Sequence, residues 1–239
     1  MKLFLVGLGA GGGKLITKEA QRVLSECDCI MGFEKSTGLI RYEYPNAEYI
    51  EMKVRNDHEA AHKGLQLAQT GIVVALVCEG DIGIYDMAGL VFDIAQEYNP
   101  VDIEVIAGVT AACASAAVLG APLEDDFACI SLSDYALPIE VIERRVLAAA
   151  QGDFTICFYN PRSRRREGYT RKVCRILLWS RPPETVCGYV KFAGTEGERA
   201  VILTLAELLE CEEIDTYTTV FVGNAKTKVL NGKMIAERG

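Results

Sequence analysis

The chain has 239 residues, half of them hydrophobic and 24% charged, with a formal net charge of −8. This composition excludes a disordered chain and suits sheets covered on both faces, while the negative balance argues against general nucleic-acid affinity. The longest apolar runs, such as 72–77, fall far short of the ~20 residues a bilayer span needs, and Met1-Lys2-Leu3 leads straight into a strand pattern, so neither a span nor an export signal is expected.

Apolar β-type runs alternate with helical segments from the first residues onward, the pattern of a parallel sheet with crossover helices. Strands are predicted at 2–6, 27–31, 48–52, 72–77 and 104–106. Among the helices between them, one is expected at 16–25 with Thr17 as N-cap, and one at 57–69 with Asp57 as N-cap and Gly71 as its stop. An alanine-rich helix follows from Ala111 to Leu119 and stops at Gly120. Residues 121–126, Ala-Pro-Leu-Glu-Asp-Asp, break the periodicity and read as a linker between an N-terminal domain at 1–120 and a C-terminal domain at 121–239. The second domain is predicted to hold strands at 127–132, 154–159, 185–190, 200–203 and 218–222, with helices near 139–150 and 169–179. Thr195-Glu196-Gly197-Glu198 reads as a hairpin turn, which makes the second sheet mixed.

The nine cysteines stand mostly inside apolar runs and read as small core residues in a reducing compartment, so a cytoplasmic location is expected. His58 and His62 lie four apart on a predicted helix with Glu59 between them, and a solvated helix face is the expected reading rather than a metal site.

Ligands of open α/β sheets bind beyond the carboxyl ends of strands. Those positions here carry Gly7-Leu8-Gly9-Ala10-Gly11-Gly12-Gly13, Glu79-Gly80-Asp81-Ile82-Gly83-Ile84-Tyr85 and Ala107-Gly108-Val109-Thr110, then Ser131-Leu132-Ser133-Asp134, Tyr159-Asn160-Pro161 and Gly223-Asn224. Any one of them is ordinary turn chemistry; six on one edge point to a cleft. Gly7, Gly9 and Gly12 also satisfy a dinucleotide-binding G-x-G-x-x-G, with Glu34 placed as a ribose-binding acid, which keeps an NAD(P)-binding Rossmann oxidoreductase open as an alternative. Against it, Gly32 and Phe33 intervene between the predicted second strand and the acid. The run Arg162-Ser163-Arg164-Arg165-Arg166 sets four arginines ahead of a helix N-terminus, where the dipole disfavours cations; a surface run or a site awaiting a polycarboxylate or phosphate would both account for it.

Taken together, these segments resemble the tetrapyrrole methylases over essentially the whole chain. The most specific stretches are Glu79 to Ala88, Gly108-Val109-Thr110-Ala111-Ala112, Leu119-Gly120-Ala121-Pro122-Leu123, Asp126-Phe127, Ser131-Leu132-Ser133-Asp134, Tyr159-Asn160-Pro161-Arg162-Ser163 and Phe221-Val222-Gly223-Asn224, with Arg238-Gly239 agreeing too. The Ser-Leu-Ser-Asp and Tyr-Asn-Pro-Arg-Ser pair looks like the branch that methylates C-17 of precorrin-3B or cobalt-precorrin-3 on the way to the precorrin-4 stage of cobalamin biosynthesis. The sequence departs from the family at Ala10, Ile82 and Ala107, where proline is usual, and at Asp86, where glycine is usual; Asp86 would add a carboxylate beside the cleft or cap a helix.

The resemblance implies two α/β domains with mixed sheets, the class III methyltransferase fold, with S-adenosylmethionine and a tetrapyrrole between them, in a homodimer without nucleic-acid or membrane partners. Carried over, cofactor contacts would come from Gly80, Asp81, Ile84, Thr110, Ala111, Tyr159, Val190, Gly223 and Asn224. Gly7, Gly9, Ser131, Ser133, Arg162, Arg164 and Arg165 would face the macrocycle, and Asp81, Asp134 and Tyr159 are candidates to assist proton movements during the associated ring contraction. A sibling methylase of another ring carbon, of RNA or of a protein histidine would share the fold, as would a non-catalytic protein that only binds the cofactor.

Overall fold

The computed structural model describes residues 1–162 and 168–238. It divides into two compact units, Met1–Ala111 and Ala112–Gly239.

In the first unit the order is β1 (Lys2–Gly7), α1 (Lys18–Glu26), β2 (Cys29–Phe33), α2 (Glu34–Gly38), β3 (Glu48–Met52), α3 (Asp57–Gln69), β4 (Val73–Cys78), α4 (Ala88–Ala95) and β5 (Asp102–Ile106). The strands form one sheet in the order β3-β2-β4-β1-β5, parallel throughout. Strand alternation divides the apolar residues between two faces. Leu3, Leu5 and Leu76 join Leu65 of α3 and Val91 of α4 on one side. Val6, Val77 and Ile30 join Val23 and Leu24 of α1 on the other. Helices on both faces are what a parallel sheet requires, since neither face is left to water.

Local signals decide the element ends. Thr17 caps α1 by accepting from the Ala20 amide, as expected. The cap of α3 is Asn56, whose side chain accepts from the Glu59 amide; Asp57, expected in that role, is the first helical residue instead. Gly71 ends that helix at φ +98°. The second strand starts two residues later than expected because the Cys27 amide still closes the last turn of α1 on the Val23 carbonyl.

This order overturns the oxidoreductase alternative. In a dinucleotide fold the acid at the end of the second strand lies beside the first strand's glycine loop, which opens directly into a helix. Here β4 separates β1 from β2, so Glu34 is two strands away, and the helix after β1 starts only at Lys18.

The second unit holds most of α5 (Ala111–Leu119), then β6 (Gly120–Ala121), β7 (Phe127–Ser131), α6 (Ile139–Gln151), β8 (Thr155–Tyr159), α7 (Tyr169–Leu177), β9 (Val186–Lys191), β10 (Arg199–Thr204), α8 (Leu205–Glu210), β11 (Thr218–Val222), β12 (Thr227–Leu230) and β13 (Lys233–Ala236). The division between the units falls at the first residue of α5, between Ala111 and Ala112. The reason is packing: Ala112, Ala116 and Leu119 of α5 are buried with Cys157, Val190, Phe221 and Met234. The sheet order is β10-β9-β11-β8-β7, in which β7 and β8 are parallel and the other neighbours antiparallel. Mixed pairing is thus confined to this unit. The hairpin between β9 and β10 is present, with the Thr195 and Glu198 amides closing on the Phe192 and Thr195 carbonyls at 3.0 and 3.2 Å. α6, α7 and α8 cover the face opposite α5. A small sheet of β12, β13 and β6, absent from the sequence reading, ends the described chain. Among the described residues no helix is long and apolar enough to cross a membrane.

Candidate functional site

Because every strand of the first sheet runs the same way, the loops after β1, β4 and β5 emerge at one edge, and backbone bonds stitch them together. Gly9 and Gly80 form an isolated antiparallel bridge, with N–H to carbonyl distances of 3.0 and 2.9 Å. The Ala10 amide donates to the Val109 carbonyl at 2.8 Å. Such close backbone approach is open only to glycine. A Cβ on Gly108 would stand 2.0 Å from the Gly80 carbonyl oxygen, and one on Gly7 would stand 2.6 Å from the same atom. Gly7 and Gly9, expected to line the macrocycle, are buried and form this junction.

Asp81 supplies a side chain to the junction. Its Oδ1 accepts from the Gly83 amide at 2.8 Å and its Oδ2 from the Gly108 amide at 3.0 Å, so the carboxylate braces its own loop against the next one. Both oxygens have backbone donors, which suits a positioning role better than proton transfer. The position a Gly80 Cβ would take has nothing within 4 Å, and Ile84 and Tyr85 beyond it are exposed. Approachable backbone beside exposed apolar side chains is the surface a nucleoside needs. Thr110 and Ala111, half-buried, close the loop after β5.

On the same unit an open cleft of about 500 Å³ lies beyond the ends of β2, β3 and β4, lined among others by Phe33, Lys35, Lys53, Arg55, Glu79 and Asp86. Arg55 stacks over Phe33 at 5.6 Å and pairs with Asp57 at 3.1 Å and Asp86 at 3.3 Å. Lys35 pairs with Glu79 at 2.9 Å. Asp86 also accepts from the Met87 amide at 2.9 Å, so it serves the start of α4 while facing the cleft. Burial pushes its carboxyl above the usual range, and Arg55 opposes the shift. Glu34, Glu79 and Asp86 of this cleft drew notice in the sequence, but for other roles, and Lys35, Lys53 and Arg55 did not, because the walls come from separate segments.

In the second unit, Ser131 and Asn160 are neighbours: the Asn160 amide donates to the Ser131 hydroxyl at 3.1 Å, which also accepts from the Ser133 amide at 3.2 Å. The Tyr159 hydroxyl accepts from the Ala112 amide at 2.8 Å and so holds the first turn of α5. Asp134 accepts from the Tyr169 hydroxyl at 2.9 Å. Val190 is buried near the same sheet edge, paired with Thr219. Gly223-Asn224 is not at that edge. Strand β11 runs antiparallel to β8, with Val222 opposite Ile156, so the turn after it emerges where β8 and β9 begin. The six loops therefore do not share one orientation, as alternating turn residues alone suggested. Asn224 bonds within its own turn, accepting from the Lys226 amide and the Thr227 hydroxyl, and donates to Asp125 at 3.1 Å.

Arg181 went unnoticed in the sequence. It is buried at 6% exposure, and its guanidinium donates to the carbonyls of Phe154, Val222 and Gly223. Burial lowers its pKa from the ordinary value. Arg162 is engaged as well, donating to the Glu212 carbonyl at 3.0 Å, while Arg164 and Arg165 lie outside the described residues. His62 pairs with the Tyr98 hydroxyl at 2.8 Å. Most cysteines are buried, but Cys113 is exposed.

Residues 2–209 match the family described as Tetrapyrrole (Corrin/Porphyrin) Methylases. The chain belongs to the tetrapyrrole methylases. It is 40% identical over 238 residues to the probable cobalt-factor III C(17)-methyltransferase of Salmonella typhimurium, covering 99% of this chain and 98% of that one. It is 31% identical to the precorrin-3B C(17)-methyltransferase of Sinorhizobium, over 95% of this chain and 91% of that one. The crystal structure of the methyltransferase CobJ superposes with a TM-score of 0.91 at 30% identity, over 99% of both chains. As a tetrapyrrole methylase the chain is a methyltransferase that uses S-adenosylmethionine. The braced glycine loop, with approachable backbone at Gly80, fits such a cofactor.

Proposed function

We propose that the chain methylates C-17 of a corrin precursor, precorrin-3B or its cobalt-loaded counterpart, with the ring contraction that leads to the precorrin-4 stage. The observation that carries this reading is full-length relatedness to C(17)-methyltransferases together with an intact junction of loops at Gly7, Gly80 and Gly108. A homodimer in the cytoplasm belongs to the same proposal.

When bound, S-adenosylmethionine supplies an electrophilic methyl group on sulfur; the chain supplies orientation. Holding two reactants in register is worth ~7–11 kcal/mol, enough to make a dedicated acid or base unnecessary for the transfer itself. In this reading Gly80, Asp81, Ile84, Thr110 and Ala111 take part in holding the cofactor, with Asp81 acting through the loop it braces. Of the second unit's candidates, Tyr159 and Val190 keep the proposed cofactor role, whereas Gly223 and Asn224 stand at the opposite sheet edge and are left out of it. Ser131 and Ser133 keep the proposed macrocycle role. Asp134 and Tyr159 remain the proposed groups for proton movement.

The test is product analysis. Cobalt-factor III and precorrin-3B are incubated with the chain and S-adenosylmethionine carrying a deuterated methyl group, and the products are examined by mass spectrometry and NMR. One labelled methyl at C-17 is expected. Transfer to another ring carbon would favour a sibling methylase, and cofactor binding without transfer would favour a non-catalytic protein.

A further inference from the structure

The cleft beyond β2, β3 and β4 has a chemistry that the junction does not explain. Its cations come from the ends of two different strands: Lys35 follows β2, and Lys53 and Arg55 follow β3. Lys53 is exposed and makes no ion pair or hydrogen bond among the described residues. Arg55 uses Nε and one terminal nitrogen on Asp57 and Asp86, and its other terminal nitrogen, Nη1, carries no such bond. The stacked Phe33 ring and the Asp57 and Asp86 carboxylates hold that guanidinium in place, so its remaining face is preorganised for a planar anion. Deeper in, the Glu79 Oε1 atom is buried without a hydrogen-bond partner, while its other oxygen holds Lys35. A carboxylate occupant cannot supply the donor this atom lacks, so Glu79 takes no direct part in binding an anion.

Lys35, Lys53 and Arg55 line the concavity together with Glu34, Glu79 and Asp86; Glu79 fixes Lys35 and Asp86 fixes Arg55, which leaves Lys53 and the open side of Arg55 as the cationic features facing it. The volume, about 500 Å³, falls in the range of small-molecule sites.

We infer that this cleft docks the carboxylate side groups of the macrocycle, with Lys53 and Arg55 as the residues that bind them. The inference rests on the proposed reading of the chain as a corrin-precursor methylase and names the part of the substrate that the first unit recognises. Lys53 offers a point charge at the rim, and Arg55 a planar fork, so the two together favour a ligand carrying carboxylates on adjacent flexible arms. Asp86 anchors Arg55 and is a positioning residue.

Absorbance titration of cobalt-factor III, without S-adenosylmethionine so that no turnover occurs, tests it on the full chain. Wild type is compared with Lys53→Glu and Arg55→Gln, and S-adenosylhomocysteine binding is measured by calorimetry on each. Lys53→Glu should weaken macrocycle binding roughly tenfold, the size of one charge-assisted hydrogen bond at an open site. S-adenosylhomocysteine affinity should stay within about twofold. The permethyl ester of cobalt-factor III, lacking the anions, should bind wild type and Lys53→Glu alike. Because Lys53 is exposed and unpaired, its variant keeps the test sound even where Arg55→Gln unsettles Asp86. Unchanged macrocycle affinity in Lys53→Glu overturns the assignment and leaves the methylase reading standing. A wild type that binds the macrocycle yet transfers no methyl overturns the methylase reading alone, and a wild type that binds no macrocycle overturns both.

Discussion

The first unit holds its glycine loops together by leaving side chains out, whereas the second holds its turns by putting side chains in. At Gly7 and Gly108 the backbones lie so close to each other and to the Gly80 carbonyl that an added Cβ would stand 2.0–2.9 Å from its neighbours. At Gly223-Asn224, by contrast, the turn is held by the Arg181 guanidinium, the Asn224 amide and the Thr227 hydroxyl. An added Cβ would also crowd Gly223, 2.5 Å from the Thr227 side chain, so the two edges differ in what removal does: the second loses its side-chain bonds, whereas the first has few to lose. Asp81 is the exception in the first unit, since it braces two backbone loops with a side chain.

Gly108→Ala should have the largest effect. The nearest atoms to the new Cβ are backbone, which has little room to yield, so we expect a loss of ~3 kcal/mol, at the upper end for overpacking. Urea unfolding would measure it, and a stable variant would mean that the loops can separate cheaply. Arg181→Met follows. Leaving the Phe154, Val222 and Gly223 carbonyls without their donor should cost about 2–3 kcal/mol. Amide exchange should show the loss concentrated at β11, and uniform protection would argue against Arg181 as the holder of that turn. Asp81→Asn comes last, because the side chain keeps its size and one acceptor while its new NH₂ opposes one of two amide donors; we expect about 1.5–2 kcal/mol. A smaller shift in the urea midpoint than for Arg181→Met would sharpen the contrast between backbone-held and side-chain-held turns.

Much of the fold was legible because apolar runs record strands directly. The alternation of Leu3, Phe4, Leu5 and Val6 already divides two faces, and Thr17 and Gly71 bound their helices as their chemistry suggests. What pattern does not record is strand order and direction. Gly223-Asn224 reads like the other strand-end turns until β11 is seen to pair antiparallel with β8 and β9. The same blindness made Gly7, Gly9, Gly12 and Glu34 look like a dinucleotide motif, which only the insertion of β4 between β1 and β2 excludes. Short-range competition explains the smaller differences: Asn56 precedes Asp57 and takes the cap, and Cys27 finishes α1 before β2 can begin. The cleft was not legible as one place because Phe33 ends β2, Lys53 and Arg55 follow β3, and Glu79 and Asp86 follow β4, and nothing in their spacing announces that they meet.

If the braced loops of the first unit hold the cofactor, calorimetric titration of S-adenosylhomocysteine into wild type and Asp81→Asn tests it most directly. The expected result is saturable binding by the wild type and affinity at least roughly tenfold weaker in a variant that is still folded, matching the loss of one charged brace. Equal affinities would contradict it.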